Sequence, residues 1–494
     1  KHPQREFLMA DPEPLDKLDP ADAWKPWTPA AGEWDRKWAA HLFRRAAFGA
    51  GEQELALALK EGPAKALDKL LAGAPDAQDL VPTLQDVGKL AAEREAEGGK
   101  LREWWVYGIL QGGHPLREKM TLFWHNHFAT SILKVRSAEL MFRQNCVFRE
   151  HALGAFGPLL HAVTRDGAML VWLDSNSNVK GRANENYARE LMELFSLGVG
   201  NYTEKDVREA ARAFTGWHTD GKGFRFNPAQ HDDTEKTVLG KTGRFDGSAV
   251  VDIVLSQPAC ARFLVKKLYT FFVSEIAPPD ALLEPLCERF RKSDYDVAAL
   301  LKVMLASKHF YSDHAFRKRI KSPVEYVLGA VNGAYRRYDE DHPHFRPLDH
   351  HYLVKWISGM GQVLFAPPNV KGWPGSKTWL NTATVLERDN FAAALASGKL
   401  WLPPPEQQAF VVADSLPPPL ALDVAREVAE EKASKPEDVV RVLLDRLVPG
   451  GVRAEARAKL VAFVGEDKPK GAELARRARE AAHAILTMPE YQLA

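Results

Sequence analysis

Two short stretches carry the side chains most able to do chemistry: F-W-H-N-H-F at 123–128 and N-E-N-Y-A-R-E-L-M-E-L-F-S-L-G at 184–198. The first holds His125 and His127 in an aromatic run. Read as the end of a helix from Leu116, with about 100° per residue, it places Leu116, Met120, Phe123 and Trp124 on one arc with His127 in its middle. His125 falls on the opposite side, near Glu118 and Thr121. While the helix persists the two imidazoles diverge and cannot bind one ion; an extended H-x-H would turn both to one side. The expectation is that His127 supports a site from the packed layer and His125 touches solvent or substrate. A core histidine beside a surface one is the plain alternative, since a lone H-x-H is a weak metal signal.

In the second stretch, Asp174, Asn176, Asn178, Asn184, Glu185 and Asn186 crowd a loop containing Gly181, just before a helix that ends at Gly198. Short polar side chains bond nearby backbone, so part of this crowding is turn and cap chemistry. On the helix, Asn186, Glu190 and Glu193 recur at i, i+4 and i+7, within about 60° of one another, and Arg189 flanks them. Tyr187, Leu191, Leu194 and Phe195 take the other side. Stacked carboxylates repel, and Arg189 can hold only one in a bidentate pair, which leaves the other as a candidate acid or base. A solvated polar face is the usual fate of such a run.

Downstream, Thr203 and Asp206 have capping-box spacing ahead of a buried stripe of Val207, Ala210, Ala211 and Phe214, a scaffold helix. It delivers T-G-W-H, with Trp217, to a long loop containing H-D-D-T-E-K-T-V-L-G. There His231 beside Asp232 and Asp233 fits a base with its orienter, a metal ligand or a polar loop. Late in the chain, Trp373 and Trp379 stand among Gly and Pro, as a sugar-stacking platform or as a plug for a helical core.

These residues suggest an enzyme whose 116–128 helix, 172–198 loop and helix, and 217–240 loop converge on one cleft. No phosphate-loop lysine, G-x-S-x-G elbow or dinucleotide fingerprint accompanies them. The leading expectation is a hydrolase or lyase acting on an extracellular polymer, carbohydrate first, with no cofactor required. Glu190 or Glu193 would be general acid or base and Asp174 or His231 the complementary group, with His125 in reach. Asn176, Asn184, Asn186, Arg189, Asp232, Trp217 and Trp373 would bind substrate. One alternative is a metalloenzyme in which His125, His127 and His231, with Glu190 or Asp174, hold a divalent zinc, copper or iron ion. Another is a non-catalytic binding or assembly module whose polar stripe docks a partner.

The elements that must position these groups are helices. Apolar residues return every three or four positions in A-A-H-L-F-R-R-A-A-F, A-R-F-L-V-K-K-L-Y-T-F-F and D-V-V-R-V-L-L-D-R-L, and two-residue alternation is scarce. The fold expected is all-α, a single large helical domain with a helical C-terminal extension, and at most a small hairpin near Phe224 in the 217–247 region. The boundaries are an extended segment at 1–35, the main domain at 36–400, a proline-rich linker at 401–420 and a helical subdomain at 421–494. A further break falls at 338–347. The stretch at 303–312 is echoed at 484–493, each a helix running into a short aromatic segment.

Over 494 residues, 66 Lys+Arg against 65 Asp+Glu leave a formal net charge of +1, so no global field recruits nucleic acid or an anionic membrane. The apolar runs are too short to span a bilayer. Three scattered cysteines with no C-x-x-C suggest neither a disulfide framework nor a cysteine zinc site.

Together, F-W-H-N-H-F, the run from N-E-N-Y-A-R-E through R-A-F-T-G-W, H-D-D-T-E-K-T-V-L-G and N-V-K-G-W-P-G closely resemble the bacterial family catalogued as domain of unknown function eighteen-hundred (DUF1800). The likeness runs from H-L-F-R-R-A-A-F-G at His41 to the final P-E-Y-Q-L. Its motifs fall on His125, His127, Asp174, Asn184, Asn186, Arg189, Glu190, Glu193, Trp217, His231, Asp232 and Trp373. The resemblance implies a periplasmic or extracellular protein, its export leader absent from this chain, and a sulfatase-like partner protein. It brings no activity.

Overall fold

Helical stripes decide the architecture. The computed structural model describes residues 14–75, 80–94, 98–334, 350–397, 433 and 435–494. They form a mainly helical domain with two small antiparallel sheets of two strands each. The hairpin expected near Phe224 pairs Trp217–Thr219 with Phe224–Phe226, and a second pairs Lys236–Val238 with Lys241–Gly243. Both belong to the loop region between two helices, so they brace the long connection and leave the helical core intact.

Two apolar clusters make up that core. The first joins Arg36–Ala46, Phe156–Thr164, Glu204–Ala213, Pro258–Phe272 and Val297–Ala306. The second joins Gly99–Gln111, Pro323–Ala334, His350–Gly359, Thr382–Ala396, Pro436–Leu447 and Gly471–Thr487. The C-terminal helices therefore pack into the same core as the middle of the chain. The echoed segments end up apart, with Phe310 buried in the first cluster and Tyr491 in the second. Residues 1–13, the proline-rich linker at 401–420 with 421–432, and the break at 338–347 lie outside the described residues.

The helix Pro115–His127 lies where the clusters meet. Pro115 supplies a preset φ at the first turn, and the His114 imidazole accepts from the Arg117 amide at 3.3 Å, satisfying one open donor. Leu116, Met120 and Trp124 are fully buried in the first cluster, while Leu122 faces the second. Each such side chain contributes roughly 1.5–3 kcal/mol by leaving water. Two of its charged residues are buried too, each with a partner. Glu118 takes both arms of Arg149 at 2.7 and 2.9 Å, and Lys119 meets Glu325 at 2.6 Å.

No single described helix is long and apolar enough to cross a membrane. A bent pair, Gly247–Leu255 with Pro258–Phe272, passes on length and composition, and its apolar residues lie in the first cluster.

Candidate functional site

The helical reading of F-W-H-N-H-F holds for His127. The helix persists to that residue, and His127 lies in the packed layer, its Nε2 3.0 Å from the Phe195 carbonyl. Its Nδ1 accepts from the Lys267 ammonium at 3.0 Å, so the ring proton sits on Nε2 and is donated to Phe195. Burial, then the neighbouring Lys267 charge, hold His127 neutral. Burial in turn lowers Lys267 to about 8.

His125 does not reach solvent. It is 1% exposed, as buried as Glu118 and Thr121 beside it, because the helix is covered on every side. Trp105, Phe365 and Trp373 surround the ring, burial drops its pKa to about 3, and Nε2 accepts the Phe365 amide at 3.1 Å. Phe365 has φ +62°, a strained setting for a bulky residue that this bond helps to hold.

Between the histidines, Asn126 grips the same loop further on. Its Oδ1 accepts the Trp373 amide at 2.7 Å and its Nδ2 donates to the Trp373 carbonyl at 3.4 Å. Gly372 lies against it at φ +79°, where an added Cβ would stand 2.5 Å from the Asn126 carbonyl oxygen. The three polar residues of the motif thus fix two partners: the 365–373 loop and the segment carrying Phe195.

That segment departs from the expected α-helix. Asn186–Glu190 is α-helical, but Leu191–Ser196 widens into a π-helical turn, with the Leu197 amide bonding the Met192 carbonyl at 2.9 Å. The Ser196 hydroxyl closes onto the Leu191 carbonyl, inside the widened turn. Tyr187, Leu191 and Phe195 face the core as expected, whereas Leu194 is only half-buried and Asn186 is exposed.

Arg189 holds neither Glu190 nor Glu193. Its guanidinium is clamped between Glu185 at 2.8 Å and both oxygens of Glu204 at 2.7 Å. Glu204, at the start of the capped Glu204–Ala213 helix, is too far along the chain for a helical count to reach. Both carboxylates are therefore left without an arginine partner among the described residues. Glu193 accepts the Tyr202 hydroxyl at 3.0 Å, and burial together with that bond pushes Tyr202 up to about 12. Glu190 is half-buried, and its side chain makes no hydrogen bond among the described residues. Desolvation, then the Glu193 charge, raise its pKa, while Lys371 and Arg189 pull it back. Lys371 belongs to the loop that His125 and Asn126 fasten, and it is exposed beside the pair. The raised carboxyl of such a pair keeps its proton to higher pH than an ordinary glutamate and can pass it on.

Tyr202, Lys371, Asn126 and Lys267 were not singled out by sequence. Tyr202 follows Gly198 by one turn of loop, and Lys371 stands inside N-V-K-G-W-P-G, where the tryptophan drew attention instead.

The remaining predicted residues lie in a separate seam. Asp174 has φ +57° and pairs with Lys134 at 2.9 Å. The Asn176 amide exchanges two bonds with Thr219, at 2.8 and 3.0 Å, and Asn178 does the same work for the Asn184 amide and the Ala211 carbonyl. The Asn184 side chain accepts the Asn186 amide and donates to Ser177. His231 faces neither aspartate: Nδ1 meets the Thr215 carbonyl at 2.9 Å and the ring packs on Phe226. Asp232 takes Arg212 and Thr234, which hold its carboxyl well below the usual range despite desolvation, and Asp233 takes Lys180.

The 217–240 loop therefore closes onto the 174–184 loop, and the charges acting on Glu190 are those of Glu193, Lys371 and Arg189, with Asp174 and His231 occupied elsewhere. His125, His127 and His231 are each bonded in a different place, and among the described residues no three His, Cys, Asp or Glu side chains gather as a ligand group. Trp217, Trp373 and Trp379 are 4%, 6% and 7% exposed, so they plug the core and present no stacking wall.

Neither the curated proteins nor the solved structures contain a match to the chain. Residues 41–493 do match a family, so that the span bounded by the H-L-F-R-R motif and the final leucine, nearly the whole chain, belongs to the family described as Protein of unknown function (DUF1800).

Proposed function

We propose that the protein is an exported acid–base enzyme, a hydrolase or lyase acting on an extracellular polymer, in which Glu190 is the proton donor and Glu193 its charged partner. The observation that carries this reading is the unequal setting of the two carboxyls. The Glu190 side chain lacks a hydrogen bond among the described residues and has a raised pKa, whereas Glu193 is fixed by Tyr202. Unequal carboxyls of this kind divide the acid and base roles at one pH. In hydrolysis, Glu190 gives its proton to the leaving oxygen as the C–O bond breaks, and Glu193 takes a proton from the attacking water. In elimination, Glu193 takes the proton from carbon. Lys371 lies on the solvent side and can orient a polar substrate group or stabilise developing negative charge.

Carbohydrate leads among substrates because paired carboxylates are the groups that cleave glycosidic bonds. The tryptophans lend that choice no support, being buried. Export rests on the family resemblance.

The test is a panel of neutral, acidic and amino polysaccharides, read for new reducing ends and for unsaturated products. One of them is expected to be cut by the wild type. Glu190→Gln and Glu193→Gln should each lower that turnover about 10²–10⁴-fold, with the melting temperature nearly unchanged. Equal turnover in both variants and wild type sinks the assignment.

A further inference from the structure

A second cluster of ionisable groups lies apart from Glu190, where the two ends of the family-matched span meet. Arg44 comes from H-L-F-R-R, Lys321 precedes the Pro323–Ala334 helix, and Tyr491 belongs to P-E-Y-Q-L. With Arg446 and Glu325 they line a cavity of about 50 Å³. One water occupies about 10–15 Å³ on that measure, so a group the size of a few waters fits.

The charged side chains lining this cavity do not balance. Glu325, the acid in its wall, is already held by Lys119 at 2.6 Å and Arg319 at 3.1 Å. Arg446 meets Glu52 at 3.3 Å. Lys321 is 6% exposed, lines the cavity, and among the described residues has no hydrogen-bond acceptor or paired carboxylate for its ammonium; its contact is the face of Tyr491, 3.7 Å from the ring centre. Arg44 has buried Nε and Nη2 atoms without a partner and, among the described residues, no carboxylate within 4 Å. Behind it, the fully buried Arg45 reaches only the Ala315 carbonyl, leaving Nε and Nη1 unmatched. A cation over a ring gains about 2 kcal/mol when desolvated, well short of what burying an unpaired charge costs. Consistently, burial and mutual repulsion push both Lys321 and Arg45 well below their ordinary values.

We propose that this cavity is a binding site for one small oxyanion of the phosphate, sulfate or carboxylate type, received by Arg44 and Lys321. The guanidinium offers two parallel donors and the ammonium a point charge, a pairing suited to oxygen anions. The bound anion would neutralise the cations that join the first motif of the chain to the last, and so brace the closure of the fold. The site is independent of the Glu190 chemistry.

The experiment uses the full chain purified in a zwitterionic buffer free of oxyanions. Inorganic phosphate, sulfate and acetate are titrated separately by calorimetry and thermal shift, with chloride at matched ionic strength as reference. At least one is expected to bind saturably, one per chain, and to raise the melting temperature beyond the chloride control; which of the three does so identifies the anion. Arg44→Met and Lys321→Met should each weaken binding about tenfold or more. In oxyanion-free buffer each should melt no lower than wild type, since each removes an unpaired buried cation. The proposal is overturned if all three anions behave as chloride does on the wild type, a result that does not depend on the variants folding. It is equally overturned if both variants bind as tightly as wild type.

Discussion

The two polar seams of this protein use similar residues to opposite ends. In the Asn-rich seam between 174–184 and 215–238, polar side chains that crowd the loops are bonded to backbone: Asn176 to Thr219, Asn178 to Ala211 and Asn184, His231 to Thr215. In the carboxylate seam the polar groups of F-W-H-N-H-F also bond backbone, but there Glu193 has only the Tyr202 hydroxyl and the Glu190 side chain has no hydrogen bond among the described residues. The difference teaches that polar crowding marks loop construction, whereas chemistry lies where a titratable group is left over after construction is complete.

The largest stability effect should come from the first seam. Asn178 is 3% exposed and satisfies an amide and a carbonyl at once. Asn178→Ala strands both, and one buried and one partly buried backbone group without partners cost about 2–4 kcal/mol, readable by urea or thermal unfolding. A loss below about 1 kcal/mol would break the comparison, because the seam would then be no more structural than the carboxylate pair.

Parts of this were legible in the sequence and parts were not, for physical reasons. Helical periodicity gave the burial of Met120, Trp124 and His127, since an apolar arc must face a core. It could not place His125, because a helix wedged between two apolar clusters is covered on its polar side as well, with Glu118 and Lys119 paired to Arg149 and Glu325 from distant elements. The Thr203–Asp206 cap was readable as a local pattern, and it formed. Arg189's choice of Glu204 over Glu190 was not, nor was the π-helical turn, which no side-chain periodicity marks.

Gly372→Ala attacks the second seam through its scaffold. The added Cβ would meet Asn126 at a positive φ, so the loop must shift, at about 1–3 kcal/mol. The more telling readout is the Glu190 carboxyl followed by NMR titration. Its pKa should rise further in this variant, because displaced Lys371 no longer opposes desolvation. An unchanged titration would mean that the loop does not set the electrostatics of the pair.

Glu193→Gln should act in the other direction on the same observable, lowering the Glu190 pKa toward the ordinary carboxylate value by removing a like charge. Stability carries the same signature. A carboxyl whose pKa is raised on folding keeps its proton in the native chain where the unfolded chain has lost it. Stability therefore falls as pH rises from the ordinary carboxylate value through the raised one. Melting curves across that window should slope less in Glu193→Gln than in wild type, and Glu190→Gln should remove this contribution altogether.

The smallest effect is expected at Asp174, and it tests the comparison most sharply. Its pair with Lys134 is half-exposed on both sides, and such pairs contribute about 0–1 kcal/mol. Asparagine tolerates the φ of +57° almost as well as aspartate does, so Asp174→Asn removes the charge while keeping the turn. The variant should melt within about 0.5 kcal/mol of wild type and, on any polymer the wild type cleaves, turn over at the same rate. A large loss of turnover with an unchanged fold would show Asp174 working as the complementary acid. The two seams would then have to come together during catalysis, with the Asn-rich loop moving toward Glu190.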